Sequence, residues 1–400
     1  MRTPTLIALF LAVSAAAAAG GFWFARREPE VRELPREPEP ALPLTSQRRE
    51  VPVDDPASGA AQPAAETPRP ARAGSAMAER NNEAIAALER GEFDVAVTLF
   101  EECLAAAPEE QVFRSNLAEA LVRRAFRQHE AVRPCEPCVK DVERAVELAP
   151  ARTDLLKLLE RWRAELETEK EFLRDRSVHF ELSYDGWRQR LLDAAPDVLA
   201  ELELHFADLA LVFTVSPGER GAPRIPVVLY RREEFARITG LSEWAGGSFD
   251  GTIRVPIAEE RSLDPALSSL LRHELVHAFV RAVAGEKVPA WLNEGLAQWL
   301  ARDPAAELEL ARRRMAGKTL LPFGRIEKAF ASLPEPEIPV AYGQSTLAVA
   351  YLERQYGSEA LMAMLRGCKE GKGAAVAFED WTRVPLEVAL GDFVAEFERR

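Results

Sequence analysis

The sequence has no surplus of positive charge. Lysine and arginine together number 51 against 64 aspartates and glutamates, a formal net charge of −13 over 400 residues. No basic stripe offsets phosphate repulsion, which argues against nucleic acid as a partner; the short run Arg312-Arg313-Arg314 reads as a solvated helix face. Cysteine is scarce as well, and four residues are too few for a disulfide scaffold. Cys135-x-x-Cys138 has no second such pair or histidine pair beside it, and no thioredoxin-like βαβ pattern around it. The expected state is a small disulfide-closed loop, with Cys103 and Cys368 as buried or isolated thiols. A 47% hydrophobic composition is ample for a packed core, and the length allows two or three domains.

Histidine is also rare, with five in the chain, and two of them stand in His273-Glu274-Leu275-Val276-His277. Four residues of α-helix turn roughly 400° and rise about 6 Å, so both imidazoles project from one face. Two imidazoles so placed can reach one Zn²⁺, with Glu274 about 100° round the helix and close enough to act on water at the ion. Leu270, Leu271, Val276, Ala278, Phe279 and Val280 make the helix apolar almost all round, so it is expected to be buried. Gly285 to Pro289 break it, and a second helix carries Trp291, Leu292, Leu296, Trp299 and Leu300 on a buried face. Glu294 sits among them, where an unpaired carboxylate is costly; as third ligand its charge is offset by the metal.

His-Glu-Leu-Val-His followed by Pro-Ala-Trp-Leu-Asn-Glu-Gly-Leu-Ala-Gln-Trp resembles the gluzincin metallopeptidases, specifically the bacterial peptidase-MA-like group, over roughly residues 177–400. The resemblance implies one Zn²⁺ per chain held by His273, His277 and Glu294, with Glu274 as general base and a peptide or protein as substrate. It also implies a tyrosine that donates to the tetrahedral oxyanion. Tyr342 holds that place, or else simply packs at a helix start. One departure stands out: where many gluzincins place an acid to orient a histidine, this chain has Gln298, which can accept an imidazole N–H but brings no charge.

Outside the motif helices the chain divides into distinct segments. Residues 1–27 hold an uncharged run from Thr5 to Ala25, long enough to cross a bilayer, which ends in Phe22-Trp23-Phe24 and is followed by Arg26-Arg27. This is either a single N-terminal membrane anchor with the rest exported, or a signal peptide cleaved near Ala17-Ala18-Ala19. Either way the chain is expected in the bacterial cell envelope, or secreted. Residues 28–75 are Pro-rich and aperiodic, a disordered linker. In residues 76–175 the spacing of Ala84, Leu88, Gly91, Phe93, Ala96, Phe100 and Pro108 resembles a tetratricopeptide repeat, followed by a looser second copy and a last helix over about 153–174. Such a module either binds a partner protein or braces the next domain.

Residues 176–400 form the catalytic domain of an α+β, mainly helical protein with a zincin-like small sheet. Strands are expected at Val178–Tyr184 and Ile225–Tyr230. A hairpin comes next over Gly247–Val255, whose edge (Gly246 to Val255) can pair with an extended substrate. Trp187 to Phe213 reads as helical with Pro196 as an interruption, His179 and His205 as structural, and Trp381, Leu386, Leu390, Phe393 and Phe397 as the core face of the closing helices. The function expected is a zinc-dependent peptidase, with a catalytically inactive scaffold and a zinc amidase acting on cell-wall peptides as alternatives.

Overall fold

The computed structural model describes residues 75–399, apart from 132–134, 216, 218–222, 240–246 and 258–263. The N-terminal anchor or signal expected over residues 1–27 and the linker expected over 28–75 lie outside the described residues, except for Ser75, which begins the first helix. Among the described residues no helix is long and apolar enough to cross a membrane.

The first helices follow from small residues at the right spacing. Gly91 takes φ +77°, a conformation open to glycine, and turns the chain between α1 (Ser75–Glu89) and α2 (Phe93–Ala106). Ala84 and Ala96 are fully buried and let the two helices approach, while Leu88 and Phe100 fill the space between them. A second pair follows, α3 (Gln111–Ala131) and α4 (Glu136–Leu148), and then α5 (Thr153–Glu169). Cys135 and Cys138 form a disulfide at the start of α4, and Cys103 and Cys368 are buried free thiols.

The last of these helices is shorter than its pattern suggests. It stops at Glu169, and Leu173–Arg176 is strand β1, antiparallel to β2 (Phe180–Tyr184). Arg174 and Arg176 both face Glu181 of β2, and the Tyr184 hydroxyl donates to Asp175 at 2.6 Å. That cross-strand pairing overrides a helical local pattern. The sheet continues through β3 (Ile225–Tyr230), β5 (Ile253–Pro256) and β4 (Ser248–Phe249), in the order β1-β2-β3-β5-β4. The central pairings β2–β3 and β3–β5 are parallel, and both outer ones are antiparallel. Between β2 and β3 runs α6 (Gln189–Phe213), and between β3 and β4 runs α7 (Arg232–Thr239). Pro196 does not interrupt α6: it lies on the exposed side, where water can serve the carbonyl it leaves unbonded.

Strand alternation gives the sheet two different faces. Ile225, Val227 and Leu229 of β3, with Ile253 and Val255 of β5, enter the main core under α6 and the later helices. Val228 and Tyr230 point the other way, into a smaller cluster with Phe235 and Ile238 of α7, against which Ala164 of α5 packs. The remaining chain is α8 (Pro265–Ala284), α9 (Ala290–Ala301), α10 (Pro304–Met315), α11 (Ile338–Tyr356), α12 (Ser358–Lys369), α13 (Ala374–Thr382) and α14 (Leu386–Glu398). Leu386, Leu390 and Phe393 join the core as their spacing predicts, with Phe397 packed at its margin. Trp381 does not; it is exposed, because Phe378 one turn earlier takes the core-facing position on α13.

Candidate metal centre

The site is built on two helices whose starts and contacts are specified locally. α8 begins at an Asp264 cap, whose carboxylate accepts the Leu267 N–H at 2.7 Å, with Pro265 in the first turn. It is buried on nearly every side, as its apolar circumference predicts. The first N–H groups of α9 are satisfied from outside the helix: Ala290 donates to Glu327 and Trp291 to Ile326, each at 2.9 Å. Arg272 Nε donates to the Leu300 carbonyl at 2.6 Å and ties α8 to the far end of α9. On its other side α9 lies against α11 at Gly295, where an added Cβ would stand 2.7 Å from the Ser345 carbonyl oxygen and from Val349 Cγ2.

This packing brings His273, His277 and Glu294 together, with one donor atom from each within 4.8 Å of the others. Both Nε2 atoms lie 3.7 Å from the same Glu294 oxygen, Oε2. The two imidazole rings are nearly perpendicular, with centroids 4.9 Å apart. A separation of 3.7 Å is too long for a hydrogen bond. Donors about 2.0–2.2 Å from a tetrahedral ion stand roughly 3.4 Å apart, so the spacing suits a shared cation. Both ring nitrogens of His273 are buried without a hydrogen-bond partner, as are both carboxylate oxygens of Glu274. Buried polar atoms left this way are costly unless something else satisfies them, and the donor set fits a divalent metal.

Electrostatics follow from that burial. Burial pushes the Glu274 carboxyl up to about 8, with the His273 ring pulling it down and Glu294 adding to the rise. Burial lowers the His277 ring below its ordinary range. For His273 burial acts downward too, but the Glu294 and Glu274 carboxylates outweigh it and the ring lies above its usual value.

Two residues at the site were not singled out by their pattern. Asn293 Oδ1 lies 3.0 Å from His277 Nδ1. Since an amide oxygen accepts, the proton belongs on Nδ1, which leaves the Nε2 lone pair facing Glu294. Its signal was present in the Asn-Glu pair on the buried face of α9. The second is Gly247, just before β4, where an added Cβ would stand 2.7 Å from Glu274 Oε1. The edge strand β4 therefore begins in contact with the side chain expected to act as base, and Phe249, His277, Val280, Val288 and Asn293 line a small cleft beside it. Gly246, the other end of the expected substrate edge, lies outside the described residues.

Gln298, which could accept an imidazole N–H, is fully buried, and His273 Nδ1 has no hydrogen-bond partner. Tyr342 is buried on α11, edge-on to Phe330 with ring centroids 5.0 Å apart. His179 and His205, read as structural, stand outside the metal group: His179 Nδ1 lies 2.6 Å from Glu203, and His205 Nε2 lies 3.1 Å from the Ser268 carbonyl. No curated protein matches the chain. Residues 223–381, which carry both histidines, Glu274, Glu294 and the helices that bring them together, match the family model of the Peptidase MA superfamily, and this part of the chain is a Peptidase MA-like metallopeptidase domain.

Proposed function

We propose that the chain is a zinc metallopeptidase that hydrolyses peptide bonds. The observation that carries the reading is the convergence of two buried Nε2 atoms on one oxygen of Glu294 at distances no hydrogen bond explains. His273, His277 and Glu294 would hold the ion, and a His₂Glu set of nitrogen and oxygen donors suits Zn²⁺. Zinc there supplies a Lewis acid for the scissile carbonyl and makes water acidic enough to lose a proton near neutral pH.

The chain's own groups do the rest. Asn293 holds the His277 ring in one tautomer. Glu274, whose ionised form a neighbouring cation favours, takes the proton from water and delivers it to the leaving amine. The outer edge of β4 offers main-chain groups to an extended peptide, and the Tyr342 hydroxyl donates to the oxyanion. The paired helices α1–α4 serve as a tetratricopeptide-like module. Residues 1–27 anchor the protein in the bacterial cell envelope, with residues 28–74 as spacer.

The test uses the purified full chain with metal analysis and a peptide library. About one zinc per chain is expected, lost in the His273→Ala/His277→Ala double variant. Glu274→Gln should keep the zinc and lose on the order of 10³-fold in kcat, and Tyr342→Phe about 10²-fold. A zinc-loaded Glu274→Gln protein that cleaves at the wild-type rate sinks the mechanism. A chain that takes up no zinc sinks the whole reading.

A further inference from the structure

The hairpin that brings Gly247 to Glu274 is held from its far side by the N-terminal helices. Ile253 and Val255 of β5 enter the main core, so Arg254 between them must leave on the opposite face, and there it is buried. Its guanidinium spans two carboxylates. Nη1 donates to Asp250, in the turn of the same hairpin, and Nη2 donates to Glu165 of α5. The second Glu165 oxygen lies 2.9 Å from Nε2 of His129 on α3, whose ring stacks on Trp162 at 4.1 Å between centroids. Arg161 of α5 faces Asp250 at 3.6 Å, and one turn beyond Glu165 the Glu169 carboxylate accepts the Tyr230 hydroxyl of β3.

The charges of Glu165, Arg254 and Asp250, and the His129 ring beside them, are almost wholly removed from water. In such surroundings an ion keeps its charge only against a fixed partner, so the partners cannot drift apart as surface pairs do. A guanidinium bound through two separate nitrogens fixes direction as well as distance. The apolar cluster behind it, with Val228, Tyr230, Phe235 and Ile238, excludes water but specifies no orientation. Orientation of the hairpin is therefore set by α5, and through His129 by α3.

We infer that the Glu165–Arg254–Asp250 bridge is a strut through which the N-terminal helices hold the β4–β5 hairpin against Glu274, making Glu165 and Arg254 positioning residues for the reaction. The kinetic half of this inference rests on the peptidase reading; the structural half does not. The strut explains why a peptidase site is fused to helices that contribute no ligand: they brace the wall against which the base is packed.

The test is hydrogen exchange on the full chain, with kinetics alongside. Glu165→Gln keeps the shape of the side chain and removes the charge that Arg254 answers. Amides of Ser248–Phe249 and Ile253–Val255 should exchange at least about tenfold faster, while those of α9 keep their wild-type rates. Zinc content should be unchanged, and kcat should fall about tenfold with KM within about twofold. Asp250→Asn removes the charge at the hairpin end and should reproduce both effects, so the test survives if one variant fails to fold. Arg254→Lys, which retains the charge, should recover part of the rate lost in Arg254→Met. Glu160→Gln, exposed on α5, should change nothing.

Unchanged hairpin exchange in folded Glu165→Gln and Asp250→Asn would overturn the strut. Loosened exchange with wild-type kcat would overturn its role in the reaction. A wild-type chain that neither binds zinc nor cuts peptides would refute the peptidase reading, and the exchange result would still decide whether the strut exists.

Discussion

Gly247→Ala is the sharpest probe of how the hairpin meets Glu274, the proposed base. The backbone at Gly247 is not in the left-handed region, so alanine can adopt it, and the effect isolates a contact. The added Cβ would stand 2.7 Å from Glu274 Oε1 and 3.0 Å from both Cδ and Cγ. Comfortable separations are about 3.5–4.0 Å, so hairpin and carboxylate must part by roughly 0.5–1 Å. Glu274 is fully buried on a helix enclosed on nearly every side and has nowhere to retreat without losing its aim. Forced overpacking of this kind costs about 1–3 kcal/mol of stability. A misplacement of about 1 Å at a reacting group costs up to about 10²-fold in rate, or about 2.7 kcal/mol of barrier. Because the three atoms nearest the methyl all belong to Glu274 and none to a proposed ligand, zinc content should stay at about one per chain while kcat on a cleaved peptide falls between about ten- and a hundredfold. Stopped assays with metal analysis on the same preparation read both. A folded, zinc-loaded Gly247→Ala protein with wild-type kcat would refute the reasoning, since the base would then be indifferent to the strand beside it.

Two further outcomes rest on close contacts elsewhere in the domain. Gly295→Ala should lower the thermal midpoint, because its Cβ would stand 2.7 Å from the Ser345 carbonyl oxygen and Val349 Cγ2. The clash of about 1–3 kcal/mol exceeds the helix-propensity gain of about 1 kcal/mol, and zinc affinity should weaken as neighbouring Glu294 is pushed aside; an unchanged midpoint in calorimetry would contradict the close packing. His205 supplies a pH dependence. Burial, with Arg272 beside it, lowers its pKa in the folded chain. The Arg272 guanidinium 3.3 Å from Nδ1 and the Ser268 carbonyl 3.1 Å from Nε2 both suit the neutral ring. A depressed folded pKa means the unfolded chain takes up the proton first. The contribution is therefore fully present above the unfolded value of about 6.5 and is lost as pH falls toward the folded one. Urea unfolding at about pH 7.5 and about pH 5.5, on either side of that value, should show a smaller loss in His205→Asn than in the wild type, and equal losses would remove His205 from the account.

Much of the site could be read in advance because it depends on short-range geometry. The i, i+4 spacing of His273 and His277 places both rings on one helix face whatever surrounds them, and an apolar circumference predicts the burial of that helix. Glu294 was legible for a related reason: a carboxylate on the buried face of the next helix needs a cation to answer it. The strand Leu173–Arg176 was not legible, because its local pattern is helical and it becomes a strand through Glu181 and Asp175 of its own sheet. Trp381 was misplaced because two aromatics one turn apart compete for one core position, and spacing does not say which wins.

What the sequence determined by itself, then, is chemistry that lives within a few turns of helix: the donor types, their shared face, the glycine and proline breaks that end one helix and begin the next. Periodicity and side-chain chemistry act over those distances without help. Tertiary structure alone decided which groups meet across long separations. It placed Gly247 against Glu274, left His273 Nδ1 without a hydrogen-bond partner, and buried Arg254 between Asp250 and Glu165. An arginine in a short strand reads locally as a solvent-facing residue. Only the packing of α5 against the far face of the sheet takes it out of water, and once out of water its charge dictates which residues must stand beside it.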